Sequence, residues 1–141
     1  MTQEAQDDGV VDGVTEEPKP FFILYLDGPT YLSELQRLSI WVERLLLPVY
    51  GRQATSSLPW CPQWRKHPDA IGYLHALWLA WQAKTGPRAD VLGPLEWHRD
   101  CLTPLMDTLR SPQGPFAGCK PGAHRAKDSP PVENDGFLHG M

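Results

Sequence analysis

The chain has 141 residues, 41% of them hydrophobic and 21% charged, which is enough for one globular domain and short for two. Its net charge of -4 combines acidic ends with a middle (residues 28–125) that holds eleven bases against seven acids, too weak an excess to indicate nucleic-acid binding alone. No apolar run approaches the roughly 20 residues that span a bilayer, and the acidic start is unlike a secretory signal. We therefore expect a cytoplasmic protein with no membrane partner.

The two ends of the chain are predicted to be disordered segments on either side of one domain. Residues 1–20 are polar and acidic, so they are predicted to form a disordered arm, and residues 126–141 a disordered tail. A single helical domain is expected over residues 21–125. The apolar run Phe21–Leu26 is either a short strand or a strap on the core, and the lack of a second convincing strand favours the strap.

Two helices are indicated before the middle of the domain. Leucines spaced three and four residues apart predict a helix over Thr30–Leu47, with Thr30 as its N-cap and Pro48 beyond its end. Apolar residues at helical spacing predict a second helix that starts at Pro68, because proline is tolerated in a first turn. This helix should run to about Lys84, since Gly86 and a proline follow.

A third helical pattern covers Leu95–Arg110, but Pro104 interrupts it. Either the helix bends there, or a short helix ends and Thr103 caps a new one. The fold class expected is therefore all-α: a small three-helix domain with irregular loops rich in proline and glycine, and with disordered termini.

Cysteine and histidine residues are the candidates for chemistry, because no nucleotide-binding, P-loop, H-E-x-x-H or C-x-x-C motif is present. They form three short-spaced pairs: Cys61 with His67, His98 with Cys101, and Cys119 with His124. Zinc prefers four nitrogen or sulfur ligands, and a site joining two loops to a helix would stabilise a small domain. The zinc ligands predicted on this basis are Cys61, Cys101, Cys119 and His124.

Two other interpretations of these residues stay open. Cysteine is a common buried small hydrophobic residue, so plain packing in the core accounts for the same pattern. A cysteine–histidine nucleophile pair would make the protein an enzyme, with Asp100 available to orient a histidine. No sequence signature supplies a substrate pocket or an oxyanion hole, and we therefore expect a protein that is not an enzyme.

Tryptophans beside basic residues mark a second candidate site. Trp60 and Trp64 are followed by Arg65 and Lys66, a combination that can stack on nucleic-acid bases or on a partner peptide. The same cluster can also be a small satellite core beneath a proline-rich loop. The four residues are the candidate binding residues, and an unidentified protein is the expected partner, with nucleic acid as the alternative.

A family resemblance rests on several of these stretches. They are Trp41–Tyr50, Trp60-Cys61-Pro62 with Trp64 and His67, Leu77-Trp78, Ala80-Trp81, Trp97 with Arg99-Asp100, and Gly114–Cys119 with His124. Their order and spacing resemble a small actinobacterial family, the domain of unknown function numbered four-nine-one-three, over roughly residues 30–125. The resemblance implies a protein of actinobacterial genomes, plasmids or phages, and it carries no known activity.

Two departures from the family pattern bear on the site. The family pattern resembles W-x-R-D-H, and this chain has Cys101 where that histidine would be, which keeps a zinc-ligand type. His98 stands where the family tends to have an aromatic residue, which favours a packing role. The function expected is a non-catalytic interaction or accessory module of a mobile element with a structural zinc. The alternatives are a nucleic-acid-binding accessory protein and a Cys/His-dependent enzyme.

Overall fold

The computed structural model describes residues 22–139, so the arm predicted over residues 1–20 lies outside the described part. Helices occupy three continuous runs, and the described residues contain no strand beyond two isolated bridges. The predicted all-α class is thereby confirmed. None of the described helices combines the length and the apolar character needed to cross a membrane.

The three runs differ in how regular they are. The first comprises α1 (Gly28–Trp41), a π-helical stretch (Val42–Leu46) and α2 (Leu47–Tyr50). The second is one regular helix, α3 (Pro68–Thr85), close to the predicted bounds. The third comprises α4 (Gly93–Glu96), a π-helical stretch (Trp97–Leu102) and α5 (Thr103–Leu109).

Prolines inside the first and third runs do not end them, which differs from the predicted helix end at Pro48 and from one of the two alternatives given for Pro104. Pro48 and Pro104 each occupy the second position after a π-helical stretch, where Leu47 N–H bonds to Val42 O and Thr103 N–H to His98 O. The wider turn of a π-helix accommodates a residue that cannot donate the usual bond. Neither the predicted end at Pro48 nor a new helix capped by Thr103 is therefore observed.

The start of the first helix also differs from the prediction. Thr30 is not its N-cap: the helix begins at Gly28, with Pro29 in its first turn and Asp27 in extended backbone before it. Gly28 has a φ of 56°, which permits the sharp change of direction out of the preceding segment. A proline in the first turn supplies a suitable φ without losing an internal bond.

A strap precedes this helix, as the absence of a partner strand predicts. Its residues Ile23–Tyr25 form a single 3-10 turn, and Ile23 is fully buried. The Ile23 N–H donates to Nδ1 of the buried His75 on α3 (3.3 Å), and the opposite nitrogen of that ring lies 2.7 Å from a carboxylate oxygen of Glu34 on α1. One histidine thus joins the strap to two helices.

Aromatic packing joins the three runs at the opposite side of the fold. Trp97 is fully buried, with ring centroids of Trp81 at 4.9 Å, Tyr50 at 5.8 Å and Trp41 at 6.4 Å. Its indole N–H donates to Leu77 O at 3.2 Å. This helical core supports two loops, residues 51–67 and 110–125, that carry the site described next.

Candidate metal centre

Four side chains with ligand atoms meet between the two long loops. They are Cys61, His67, Cys119 and His124, and one ligand atom from each lies within 4.8 Å of the others. The Cys61 Sγ is 3.4 Å from Nδ1 of His124, and the Cys119 Sγ is 3.5 Å from Nε2 of His67. Three of the residues are buried and His124 is partly buried. Residues distant in sequence have thus been assembled into one compact donor set.

The first loop positions its two ligands with hydrogen bonds at either end. Upstream, the buried Arg110 donates to the carbonyls of Pro59 and Leu58, each at 3.1 Å, which fixes the backbone immediately before Cys61. Downstream, a 3-10 turn over Trp64–Lys66 ends where the His67 N–H bonds to Trp64 O at 3.0 Å.

His67 then stands at the N-cap of α3. Pro68 forces extended backbone on the residue before it, and the φ of -112° and ψ of 99° at His67 agree with that rule. The start of the helix therefore sets the direction of this ligand.

The second loop folds through consecutive tight turns. The Ala117 N–H bonds to Gly114 O and the Cys119 N–H to Phe116 O, and Gly118 adopts a φ of 81° between them. A further turn, closed by a pair of backbone bonds between Lys120 and Ala123, returns the chain so that His124 faces the first loop. Glycine is suited to this positive φ because a side chain would strain the backbone.

Aromatic contacts seal the space between the loops. The ring of Phe116 is fully buried, with the Trp60 centroid at 4.7 Å and the His67 centroid at 5.2 Å. The two histidine rings pack edge to face, with centroids 4.6 Å apart. These contacts keep water away from the donor atoms and restrict the rotamers of both imidazoles.

Two of the distances between donor atoms match those of a tetrahedral zinc site. With Zn–S bonds of about 2.3 Å and Zn–N bonds of about 2.05 Å, tetrahedral angles place sulfur and nitrogen about 3.6 Å apart. The two sulfur–nitrogen distances, 3.4 and 3.5 Å, lie close to that value. Cys₂His₂ is a donor set typical of structural zinc, and the arrangement could hold such an ion without a change of fold.

Burial shifts the pKa of one thiol and one imidazole of the cluster. Burial raises the pKa of the Cys61 thiol more than a backbone hydrogen bond at Gln63 lowers it, and the nearby Cys119 raises it further. Burial lowers the pKa of His67, as do the charges of His124 and Lys127. A neutral imidazole is the form that ligates metal, whereas the thiols must release protons when an ion binds.

Groups around the cysteines would compensate thiolate charge. The Arg125 N–H lies 3.3 Å from the Cys119 Sγ, the geometry of a backbone donor to sulfur. The Lys127 ammonium donates to Ala117 O at 2.7 Å, which fixes a positive charge beside the second loop. Outer hydrogen bonds of this kind orient ligands and tune a metal site.

The predicted fourth ligand, Cys101, does not join this cluster, which is a correction to the ligand set. It lies in the π-helical stretch of the third run, partly buried beside Leu77 and Leu105 in a groove against α3. The residues that line this groove come from α3 and the third run, and none of them belongs to the cluster. His67 takes the place in the cluster that the prediction assigned to Cys101. The available signal was the short Cys61–His67 spacing (C-x5-H), which is similar to the Cys119–His124 spacing (C-x4-H).

The two histidines on helices make bonds outside the cluster. His98 lies 2.6 Å from the Tyr50 hydroxyl and 2.7 Å from Pro94 O, in agreement with a packing role. The other of these two histidines, His75, accepts the Ile23 N–H and so anchors the strap. No sequence pattern singled out His75, because its partners Ile23 and Glu34 are far away in the chain.

The candidate binding residues divide between core and surface. Trp64 is only 2% exposed, and its indole N–H points to Glu43 at 3.4 Å, so its ring is not available for stacking on a base. Trp60 is partly buried against Phe116. Arg65 and Lys66 are exposed, but the Arg65 guanidinium forms an ion pair with Glu43 at 2.8 Å.

Comparison with known proteins gives one match. The family model for a domain of unknown function, DUF4913, matches residues 35–135 of the chain. The matched range contains both loops and all four clustered ligands. No curated protein and no solved structure matches the chain.

Proposed function

This chain belongs to the DUF4913 family of domains of unknown function, and we propose that it is a non-catalytic interaction module whose loop end is stabilised by a structural zinc ion. The observation that carries the proposal is the convergence of two thiols and two imidazoles. The paired residues are 63 positions apart (Cys61 and His124) and 52 apart (His67 and Cys119). An ion at their centre would close both loops onto the helical core.

Zinc is the metal that this donor set favours. Thiolate and imidazole donors together select zinc over magnesium or calcium, which prefer oxygen ligands. Four protein ligands leave no open position for water or substrate, which is the pattern of structural rather than catalytic sites. Because the loops carry few backbone ladder bonds of their own, the free energy of metal binding would become free energy of folding for this end of the domain.

The environment of the thiols supports a non-catalytic role. A cysteine nucleophile needs a lowered thiol pKa and access to substrate. Cys61 is fully buried, and burial raises its pKa. The two thiol–imidazole contacts are therefore better suited to sharing an ion than to attacking a substrate.

A protein is the partner we propose, in the mobile-element setting that the family resemblance implies. One observation favours nucleic acid as a second candidate. The ligand-bearing segments, residues 60–68 and 116–127, contain no acid and five bases: Arg65, Lys66, Lys120, Arg125 and Lys127. Binding of a nucleic acid there would weaken steeply with salt, and Lys66→Gln with Lys120→Gln would reduce that salt dependence.

Metal analysis of matched cysteine variants tests the zinc proposal. The chain, refolded with zinc and then dialysed, should retain one zinc per chain, and cobalt in its place should give the strong visible absorption of a tetrahedral thiolate site. Cys61→Ser should lose the metal. Cys101→Ser removes the same chemical group outside the cluster and should keep it. Retention of zinc by Cys61→Ser, or its absence from the unsubstituted chain, would overturn the proposal.

A further inference from the structure

A cavity lies beside Arg110, and none of the four clustered residues lines it. It has a volume of about 310 Å³ and is bordered by α2, the first loop and the third helical run. Its lining combines apolar and polar side chains: Tyr50, Arg52, Leu58, Leu102, Thr103, Met106, Asp107 and Arg110. None of these residues belongs to the zinc cluster, so the cavity is independent of the proposed function.

Arg110 makes this cavity unusual because its charge is buried. The residue is only 3% exposed, and no carboxylate among the described residues lies within ion-pair distance of it. Its Nε and Nη2 donate to two backbone carbonyls, and its guanidinium lies 5.7 Å from the centroid of the Trp60 ring. Burial lowers its pKa, with no acid to oppose the effect. A buried cation without a counter-ion is costly to maintain.

A second guanidinium lines the same cavity. Arg52 is exposed, and its Nη1 lies 3.4 and 3.3 Å from the carbonyls of Tyr50 and Gly51, with no ion pair to an acid among the described residues. Asp107 lines the cavity as well but lies beyond ion-pair distance of both arginines. Two cations and one anion leave a net charge of +1 at the cavity, which suits a ligand with a single negative charge.

We propose that this cavity binds a small organic monocarboxylate, with its carboxylate at Arg110 and Arg52 and its apolar part against Leu102 and Met106. Because the Nε and Nη2 of Arg110 donate to the two backbone carbonyls, its Nη1 and the Arg52 guanidinium would supply the charge-assisted hydrogen bonds to the carboxylate. Apolar walls with a few convergent polar groups are the usual composition of a small-molecule site. A volume of about 310 Å³ admits an aryl-substituted acid.

The inference extends to a coupling with the first loop. Arg110 holds the carbonyls of Leu58 and Pro59, which immediately precede Trp60 and Cys61. A carboxylate that neutralises the guanidinium would remove the cost of burying its charge, and it would thereby stabilise the loop in its observed conformation.

Titration with a matched pair of probes tests the proposal. The full chain is titrated, both with added zinc and without it, with 3-phenylpropanoate and with the neutral 3-phenylpropanamide, and the backbone amide resonances are followed by NMR. The acid should shift the amides of Thr103, Met106 and Arg110 in a saturable manner, and the amide should bind at least about tenfold more weakly. Equal binding of both probes, or no saturable shift by the acid, would overturn the proposal.

Variants identify the site without disturbing the loop. Arg52→Gln removes an exposed cation of the cavity and should weaken binding of the acid about fivefold to tenfold. Arg88→Gln removes an equally exposed arginine in the loop after α3 and should leave the affinity unchanged. Asp107→Asn should tighten binding, since it removes the negative charge. An equal effect of the Arg52 and Arg88 changes would show non-specific attraction and would contradict the assignment.

Discussion

Around Trp97, side chains from all three helical runs interlock, whereas around Cys61 two loops meet through two thiols and two imidazoles. The helical region buries large aromatic surfaces on hydrogen-bonded helical backbone, so packing alone can stabilise it. The loop region has little regular structure and a polar centre of thiols and imidazoles. The difference indicates where a small domain would use a metal ion: at the place where its backbone offers least packing.

The largest loss is expected in the helical region. Trp97→Ala should lower the free energy of unfolding by about 3–5 kcal/mol, because it leaves a cavity at the junction of three helical runs. Chemical denaturation measures this loss. Zinc stoichiometry of the folded fraction should remain at one, because no ligand is touched. Loss of metal from a variant that is still folded would contradict the independence of the two regions.

Metal removal should act mainly on the loop region. With free zinc held at about 100 times its dissociation constant, mass action predicts a stabilisation of about 2.7 kcal/mol over the chelated protein. Hydrogen exchange should show the change at residues 58–67 and 116–125, while α3 beyond its first turn keeps its protection. The same chelator treatment of Cys61→Ser should have no effect. Uniform loss of protection throughout the helices would mean that the two regions unfold as one.

Comparing alanine substitutions at two glycines of the second loop distinguishes the cost of backbone strain from the cost of crowding. Gly118→Ala should cost about 2 kcal/mol, because φ is 81° and an added Cβ would lie 2.6 Å from Cδ of Arg125. Gly122→Ala meets the same strain, at a φ of 79°, but has open space around it and should cost only about 1 kcal/mol. Thermal melts of the zinc-loaded variants measure the difference, and equal costs would exclude a contribution of Arg125 packing.

The smallest expected loss of stability comes from removing the Glu34 carboxylate in the helical region, and it depends on pH. Burial raises the pKa of Glu34, but hydrogen bonds from His75 and Arg37 outweigh it, and the net shift is below the ordinary value of 4.5. A lowered carboxyl pKa contributes stability that is complete above the unfolded pKa and is lost as pH falls through the folded one. Glu34→Gln should therefore cost about 1 kcal/mol at neutral pH.

The control for this change is the pH profile itself. Stability of the unsubstituted chain should decline more steeply below pH 4.5 than that of Glu34→Gln, whereas the two curves should run parallel at neutral pH. Denaturant midpoints across the acid range measure both slopes. Identical acid slopes would show that the ionisation of Glu34 contributes nothing to acid sensitivity.

Local sequence patterns predicted where the helices lie, but they did not predict the π-helical stretches within them. The helical spacing of apolar residues and the flanking proline and glycine located α3 closely, because a helix with a clear start and stop is a local property. Pro48 misled the prediction, since the usual rule places a helix end at proline, and the sequence left open whether the helix ends or bends at Pro104. Packing on the aromatic core keeps both runs continuous and moves the irregularity into π-helical turns.

The ligand residue types were evident from sequence, but their grouping was decided by the tertiary structure. Cys61, Cys119 and His124 appear in the predicted set and do converge, whereas the choice between His67 and Cys101 depended on which way the third helical run faces. Short spacing identifies candidate pairs, because neighbouring residues are necessarily near in space. Which distant pairs meet depends on loop paths that hydrogen bonds from Arg110 and the turns around Gly118 determine.

By itself, the sequence determined the helical class, the approximate helix positions and the chemistry available for a site. Hydrophobic periodicity and residue type are local properties that can be identified without the fold. The tertiary structure alone decided that His67 faces Cys119, that His75 anchors the strap, and that Arg110 carries a buried charge beside a cavity. These contacts join residues about fifty positions apart. They arise from the packing of whole helices, a property that no local stretch encodes.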